Sequence, residues 1–180
     1  MADNQEIINC PACGKRMHKV YMSEQNINLD VCVNGCGGIY FDNREFKTVD
    51  EPHEDISPLI KALEGKTFKK VDESETRICP VCGMNMVKHY ASAKHEVQID
   101  ECYGCGGIFL DNGELEKIRA EYATEEERAA DAVNELYKKA GVELGEFKAK
   151  HEQAILNPYE WQTQYASIPQ FYKSLIKKKH

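Results

Sequence analysis

The chain has 180 residues, of which 42% are hydrophobic and 29% charged, with a formal net charge of −7. That length suits one ordinary domain or two small ones, and the proportions are those of a globular protein rather than a disordered or fibrous one. The acidic balance speaks against a broad phosphate-binding surface, and no stretch approaches the ~18 uninterrupted apolar residues of a membrane span.

The opening residues, MADNQEIINC, carry no basic start followed by an apolar run, so no secretory leader is expected. The chain reads as cytoplasmic, where thiols stay reduced and disulfides are rare. Its eight cysteines therefore call for another role. The first pair, Cys10-x2-Cys13, is followed by MHKVYMS and then by INLDVC, where Ile27, Leu29 and Val31 alternate with polar neighbours. Both runs predict strands, arranged as an antiparallel hairpin. The second pair, Cys32-x3-Cys36, leads into GIYF, a third strand ending at Asp42. Asp42-Asn-x-Glu45 has the form of a capping box and predicts a helix start.

Between about 51 and 76 lies a linker with one short helix, Ser57 as its N-cap, Pro58 at its first position and Gly65 just past its end. The pattern then begins again. Cys79-x2-Cys82 and Cys102-x2-Cys105 flank MVKHYAS and VQIDEC, and GIFL leads to Asp111-Asn-Gly-Glu114. Cys10, Cys13, Met17, Tyr21, Asp42 and Glu45 all recur 69 residues later, while Asp30 and Cys32 recur 70 residues later. The second copy thus has one more residue in its long loop and one fewer in its second cysteine turn. Beyond 120 the chain turns helical. Thr124 opens a capping box with Glu127, Ala130, Val133, Leu136, Tyr137 and Ala140 follow at helical spacing to Gly141, and a further helix is expected from about Glu143 to Leu156. Five aromatic residues, Tyr159, Trp161, Tyr165, Phe171 and Tyr172, and a basic end, Lys177 to His180, complete it.

Two close cysteine pairs separated by about 20 residues are the arrangement of a zinc site, because a tight turn presents two sulfurs to one ion and two such turns close a tetrahedron. Cys10, Cys13, Cys32 and Cys36 form one such set, and Cys79, Cys82, Cys102 and Cys105 the other. Each pair is followed at once by a glycine, Gly14, Gly37, Gly83 or Gly106, able to take the positive φ these turns require. In the first copy the three residues Val33, Asn34 and Gly35 between ligands must absorb one extra position, and Asn34-Gly35 is the expected place for positive φ.

With CPACG…LDVCVNGCGGIYFDNREF and CPVCG…IDECYGCGGIFLDNGEL in view, the chain resembles the transcription factor IIB-type zinc ribbons. The resemblance covers about 35 residues twice, departing from the family pattern at the CVNGC turn and at Phe46. It implies two tandem zinc ribbons with two zinc ions per chain, and a binding role in transcription-related or other macromolecular assemblies. The fold class expected is a small zinc-stabilised α+β protein: ribbon 1 over 1–50, a linker over 51–76, ribbon 2 over 77–120 and a C-terminal helical segment over 121–180.

The expected function is that of a non-enzymatic adaptor. Four thiolates fill a tetrahedron and leave no position for an activated water, and neither an HExxH helix nor a P-loop signature is present. His18, His53, His89, His95, His151 and His180 do not recur between copies, and Asp30 and Asp100 are expected to hydrogen-bond a turn. A rubredoxin-like iron electron carrier and a zinc- or thiol-based regulatory enzyme are the alternatives. A dication on four thiolates adds −2 per site, moving the charge from −7 to about −11. The partner expected is therefore a protein, with nucleic acid not implied and no membrane involved; the oligomeric state is left open.

Overall fold

The computed structural model describes residues 6–141. The chain divides into units 1–132 and 133–180, and the architecture below belongs to the first. Six strands form a single antiparallel sheet: β1 (His18–Met22), β2 (Ile27–Val31), β3 (Ile39–Phe41), β4 (Val87–Tyr90), β5 (Gln98–Glu101) and β6 (Ile108–Leu110). Their order is β1-β2-β3-β6-β5-β4. Each copy of the repeated sequence supplies one hairpin and one third strand. The hairpin register is also repeated, since His18 faces Val31 and their equivalents Val87 and Glu101 face one another.

The two copies meet where β3 pairs with β6, through Ile39–Leu110, Tyr40–Phe109 and Phe41–Ile108. Ile39 corresponds in sequence to Ile108, Tyr40 to Phe109 and Phe41 to Leu110. The pairing is therefore self-complementary about a local twofold at the Tyr40–Phe109 pair, the intramolecular counterpart of an isologous dimer contact. It also turns what would be two exposed sheet edges into one continuous ladder.

Alternation along these strands sorts the core onto two faces. Ile39, Phe41 and Leu110 join Met22, Leu29, Val31 and Ile99 on one face, under Phe46, Val49, Ile56, Leu59, Leu115 and Ile118. Each fully buried apolar side chain of this kind contributes on the order of 1.5–3 kcal/mol. Tyr40 and Phe109 point the other way, into a cluster with Cys10, Cys32, Cys36, Cys79 and Cys102. Both cysteine sets thus share the sheet face opposite the helices. On that side Lys19 bridges to Asp30 at 2.9 Å and Lys88 to Asp100 at 2.6 Å. These are cross-strand register partners, so the two recurring aspartates, expected at a turn, are ion-paired across the hairpins.

The helix expected after Asp42 forms only as a 3-10 turn, Phe46–Thr48, whereas its counterpart is a full helix, α2 (Glu114–Glu121). β-branched Thr48 and Val49 with Pro52 close behind oppose continuation in the first copy, while the second offers Leu115, Glu116, Lys117, Arg119 and Ala120, all strong helix formers. The glutamate half of each capping box is made. Glu45 and Glu114 accept from the amides of Asp42 and Asp111 at 2.8 and 2.7 Å. The Asp111 carboxylate, however, pairs with the buried Arg77 guanidinium at 3.2 Å. The residue at α2's N-cap is Gly113, at φ 85° and without a side-chain cap bond.

The linker helix, α1 (Ser57–Leu63), has Pro58 in its first turn and Gly65 beyond its end. Ser57 is its first residue rather than its cap, and its amide and hydroxyl donate to Asp55 at 2.9 and 2.5 Å. The turn before α1 is fixed by the second copy: Arg119 on α2 donates to the carbonyls of Val49, Pro52 and Glu54. Arg128 pairs with Asp50 and Glu51. Arg128 lies on α3 (Glu125–Lys139), where Glu127 donates its amide to Thr124 at 3.2 Å and its carboxylate accepts from Ala123 at 3.1 Å. Val133 and Leu136 on α3 are exposed. The helix expected from Glu143, the aromatic residues from Tyr159 and the basic end lie outside the described residues.

The seam leaves no room beside the third strands. A Cβ at Gly38 would sit 2.4 Å from Phe109 Cζ and 3.0 Å from the Leu110 carbonyl oxygen. Gly38→Ala is therefore expected to cost about 1–3 kcal/mol by overpacking. Chemical unfolding of the metal-loaded protein checks this, and a loss under about 0.5 kcal/mol would show that the seam yields freely.

Glu114 gives a pH signature. Burial raises its carboxyl from 4.5 to about 7, the Asp111 amide opposing and the Asp111 charge adding to the rise. A raised acid contributes its full stability below the unfolded value, and this is lost as pH climbs through the folded one. Relative to Glu114→Gln, the wild type is expected to lose on the order of 1–3 kcal/mol between pH 4.5 and 7.5. Thermal melts of both proteins across that range decide it, and parallel profiles would refute the shift.

Candidate metal centres

Each cysteine pair sits on a turn stabilised by its own glycine. Gly14, Gly37, Gly83 and Gly106 have φ of 71°, 79°, 75° and 78°, which glycine adopts without a Cβ penalty. The amides of Ala12 and Cys13 point at the Cys10 sulfur, and those of Val81 and Cys82 at the Cys79 sulfur. Such bonds favour the thiolate form that binds metal.

The extra residue of the first ribbon is taken up differently from expectation. Asn34 and Gly35 are not among the positive-φ residues. A Cβ at Gly35 would fall 2.6 Å from Cys32 Sγ and 2.8 Å from Cys13 Sγ. Glycine serves there to let the backbone approach two sulfurs, and Asn34 turns outward to His18 at 3.0 Å.

The structure brings Cys10, Cys13, Cys32 and Cys36 into one group and Cys79, Cys82, Cys102 and Cys105 into another, with all sulfurs of a group within 4.8 Å of each other. The closest approaches join the two turns of a ribbon in the same way in both copies. Cys10 lies 3.4 Å from Cys36 and Cys13 lies 3.4 Å from Cys32; Cys79 lies 3.5 Å from Cys105 and Cys82 lies 3.3 Å from Cys102. A tetrahedron with ~2.3 Å metal–sulfur bonds has edges of about 3.8 Å, so a small adjustment admits an ion. All eight cysteines are free thiols. Each group is thus positioned to bind one metal ion.

Crowding sets the electrostatics. Contacts with Cys10 and then Cys36 pull Cys32 down to about 2, while contacts with Cys32 and Cys36, together with burial, raise Cys10 well above the ordinary thiol range. Four sulfurs this close do not ionise together unless a cation compensates them. In the second group burial raises Cys79, but the Tyr40 hydroxyl and the Cys82 and Val81 amides bring it down to about 7. Tyr40 belongs to the first ribbon. Its hydroxyl lies 3.3 Å from Cys79 Sγ and 3.7 Å from Cys105 Sγ. The sequence offered no pointer to this contact, nor to buried Arg77, which replaces Ile8 of the first copy.

Three of the described histidines meet partners outside the cysteine groups. His18 meets Asn34, His89 meets Glu101 at 2.7 Å, and His95 stacks on Tyr90 with ring centroids 4.6 Å apart. Among the described residues, the two cysteine groups are the clusters able to hold an ion.

Metal analysis of protein purified without chelator is expected to find two zinc ions per chain, and one or none would contradict the duplicated geometry. Cys79→Ser is expected to unfold the second ribbon, because metal binding supplies the folding free energy of so small a unit. Near-unchanged circular dichroism and melting of that variant would remove Cys79 from the site.

Residues 9–51 and 78–121 match the transcription factor zinc-finger family of TFIIB-type ribbons. No curated protein and no solved structure matches the chain. Ribbons of this family are typically non-catalytic. The matched regions begin just before the first cysteine of each set and end beyond the 3-10 turn in one copy and at the end of α2 in the other. The two matched regions are consistent with two tandem copies of the TFIIB-type zinc ribbon.

Proposed function

We propose that the chain is a non-enzymatic protein-binding module in which Cys10, Cys13, Cys32 and Cys36 ligate one structural zinc ion and Cys79, Cys82, Cys102 and Cys105 the other. Four thiolates complete the tetrahedron, so the ions hold the ribbons together and leave no open position for substrate. The observation that carries the binding role is the asymmetry of the two cysteine-turn surfaces. The second ribbon exposes Ile78, Val81, Met84, Val87 and Tyr103, with Tyr103 two-thirds exposed at 67%. At the first four equivalent positions the first ribbon has Asn9, Ala12, Lys15 and His18.

Met84 also abuts the backbone of Gly104, where a Cβ would lie 2.4 Å from its sulfur. The apolar residues of the two turns are thereby brought side by side. Exposed aromatic and methionine side chains grouped in this way suit a protein contact. A chain near −11 with both ions bound, from −7, suits a polyanion poorly.

The test is capture of partners by zinc-loaded protein, with nuclease treatment, set beside a Met84→Lys/Tyr103→Ser variant. The expected result is nuclease-resistant capture lost in the variant while its zinc content stays at two. Equal capture by the variant, or capture abolished by nuclease, would overturn this reading.

A further inference from the structure

We infer that Tyr40 of the first ribbon is a working part of the second ribbon's metal site, donating its hydroxyl hydrogen across the β3–β6 seam to the Cys79 sulfur and, at longer range, to Cys105. The inference rests on the assignment of those cysteines as ligands. Tyr40 is fully buried, and its oxygen lies 3.3 Å from Cys79 Sγ and 3.7 Å from Cys105 Sγ. A buried phenol requires a partner, and metal-bound thiolates can only accept, so the direction of the bond is fixed once an ion is present.

The position is built for this contact. A Cβ at Gly107 would lie 1.9 Å from the Tyr40 oxygen and 2.5 Å from Cζ, so glycine there opens the slot the hydroxyl occupies. The opposite side of the local twofold is the internal control. Phe109 faces Tyr40 in the register, and its ring rests over Gly38 as the Tyr40 ring rests over Gly107. Phe109 has no hydroxyl, so Cys10 and Cys36, the equivalents of Cys79 and Cys105, receive no such bond from it. The two sites therefore share a ligand set and the way their turns are paired and, beside the extra residue of the Cys32–Cys36 turn, differ in one donor reaching across the seam.

Hydrogen bonds to ligand atoms orient them and tune their basicity, and losing one typically lowers metal affinity about 10–100-fold. Tyr40→Phe removes the hydroxyl and keeps the ring. Cobalt(II) titration of the full chain, with the two sets resolved by alkylation and mass spectrometry, reads each site separately. The expected result is about a tenfold or greater loss of cobalt affinity at the Cys79 set with the Cys10 set unchanged. The sulfur-to-cobalt charge-transfer band of the second site should also move to longer wavelength, because a thiolate relieved of a hydrogen bond gives up an electron more easily. A purely structural role would leave the band in place. Equal losses at both sets, or no loss at either, would overturn the inference while leaving the ligand assignment intact. A wild type that takes up no cobalt at the Cys79 set would overturn both.

Discussion

The constraint on which the rest of the structure depends is the convergence of four sulfurs twice over, each group with contacts of 3.3–3.5 Å. Ionised sulfurs at that distance repel strongly unless a cation lies among them. The cysteine turns, their left-handed glycines and the amides aimed at Cys10 and Cys79 all serve to hold the sulfurs where an ion can replace repulsion with attraction. The strands that leave the turns are too short to form a stable sheet as separate hairpins. The metal sites fix their register, and the strands in turn fix the distance between one turn and the next.

The duplication then has a physical use. A single ribbon of this kind would present its third strand as an open edge, whereas two copies pair β3 with β6 and close both edges. The pairing places Tyr40 and Phe109 opposite each other between the metal sites, and Asn43 and Asn112 make the corresponding exchange, one against Gly106 and the other against Gly37. On the far face the second copy's Arg119 secures the turn that follows the first copy's third strand. Each ribbon is thus completed by residues of the other. The exchanges are nearly symmetric, and the departures from symmetry, Tyr40 for Phe109, Arg77 for Ile8 and the apolar turn surface of the second ribbon, are where the copies acquire different chemistry.

Much of this is legible in the sequence. The cysteine spacing, the glycine after each pair and the alternation of INLDV and VQIDE lead to the strands and turns observed, because each signal is local and has one physical reading. What could not be read depended on distant partners. GIYF and GIFL read as buried strands, yet an apolar run does not say which edge it meets, so the seam and the Tyr40 contact stayed hidden. The capping boxes looked alike in sequence, but Asp111 is claimed by Arg77, and the residues after Glu45 do not sustain a helix. The Asn34-Gly35 pair reads in sequence as a positive-φ turn, whereas close approach to two sulfurs is what demands glycine at position 35.

The central claim is that the two metal sites stabilise one continuous sheet rather than two independent ribbons. Its most direct test is hydrogen exchange, in zinc-containing buffer, of a Cys10→Ser/Cys13→Ser variant that cannot assemble the first site. The account predicts that protection is lost beyond the first ribbon, in the β6 backbone amides of Ile108 and Leu110, which face β3 in the sheet, since β3 can no longer pair with them. Wild-type protection of those amides in that variant would contradict it, showing that the second ribbon stands without the first.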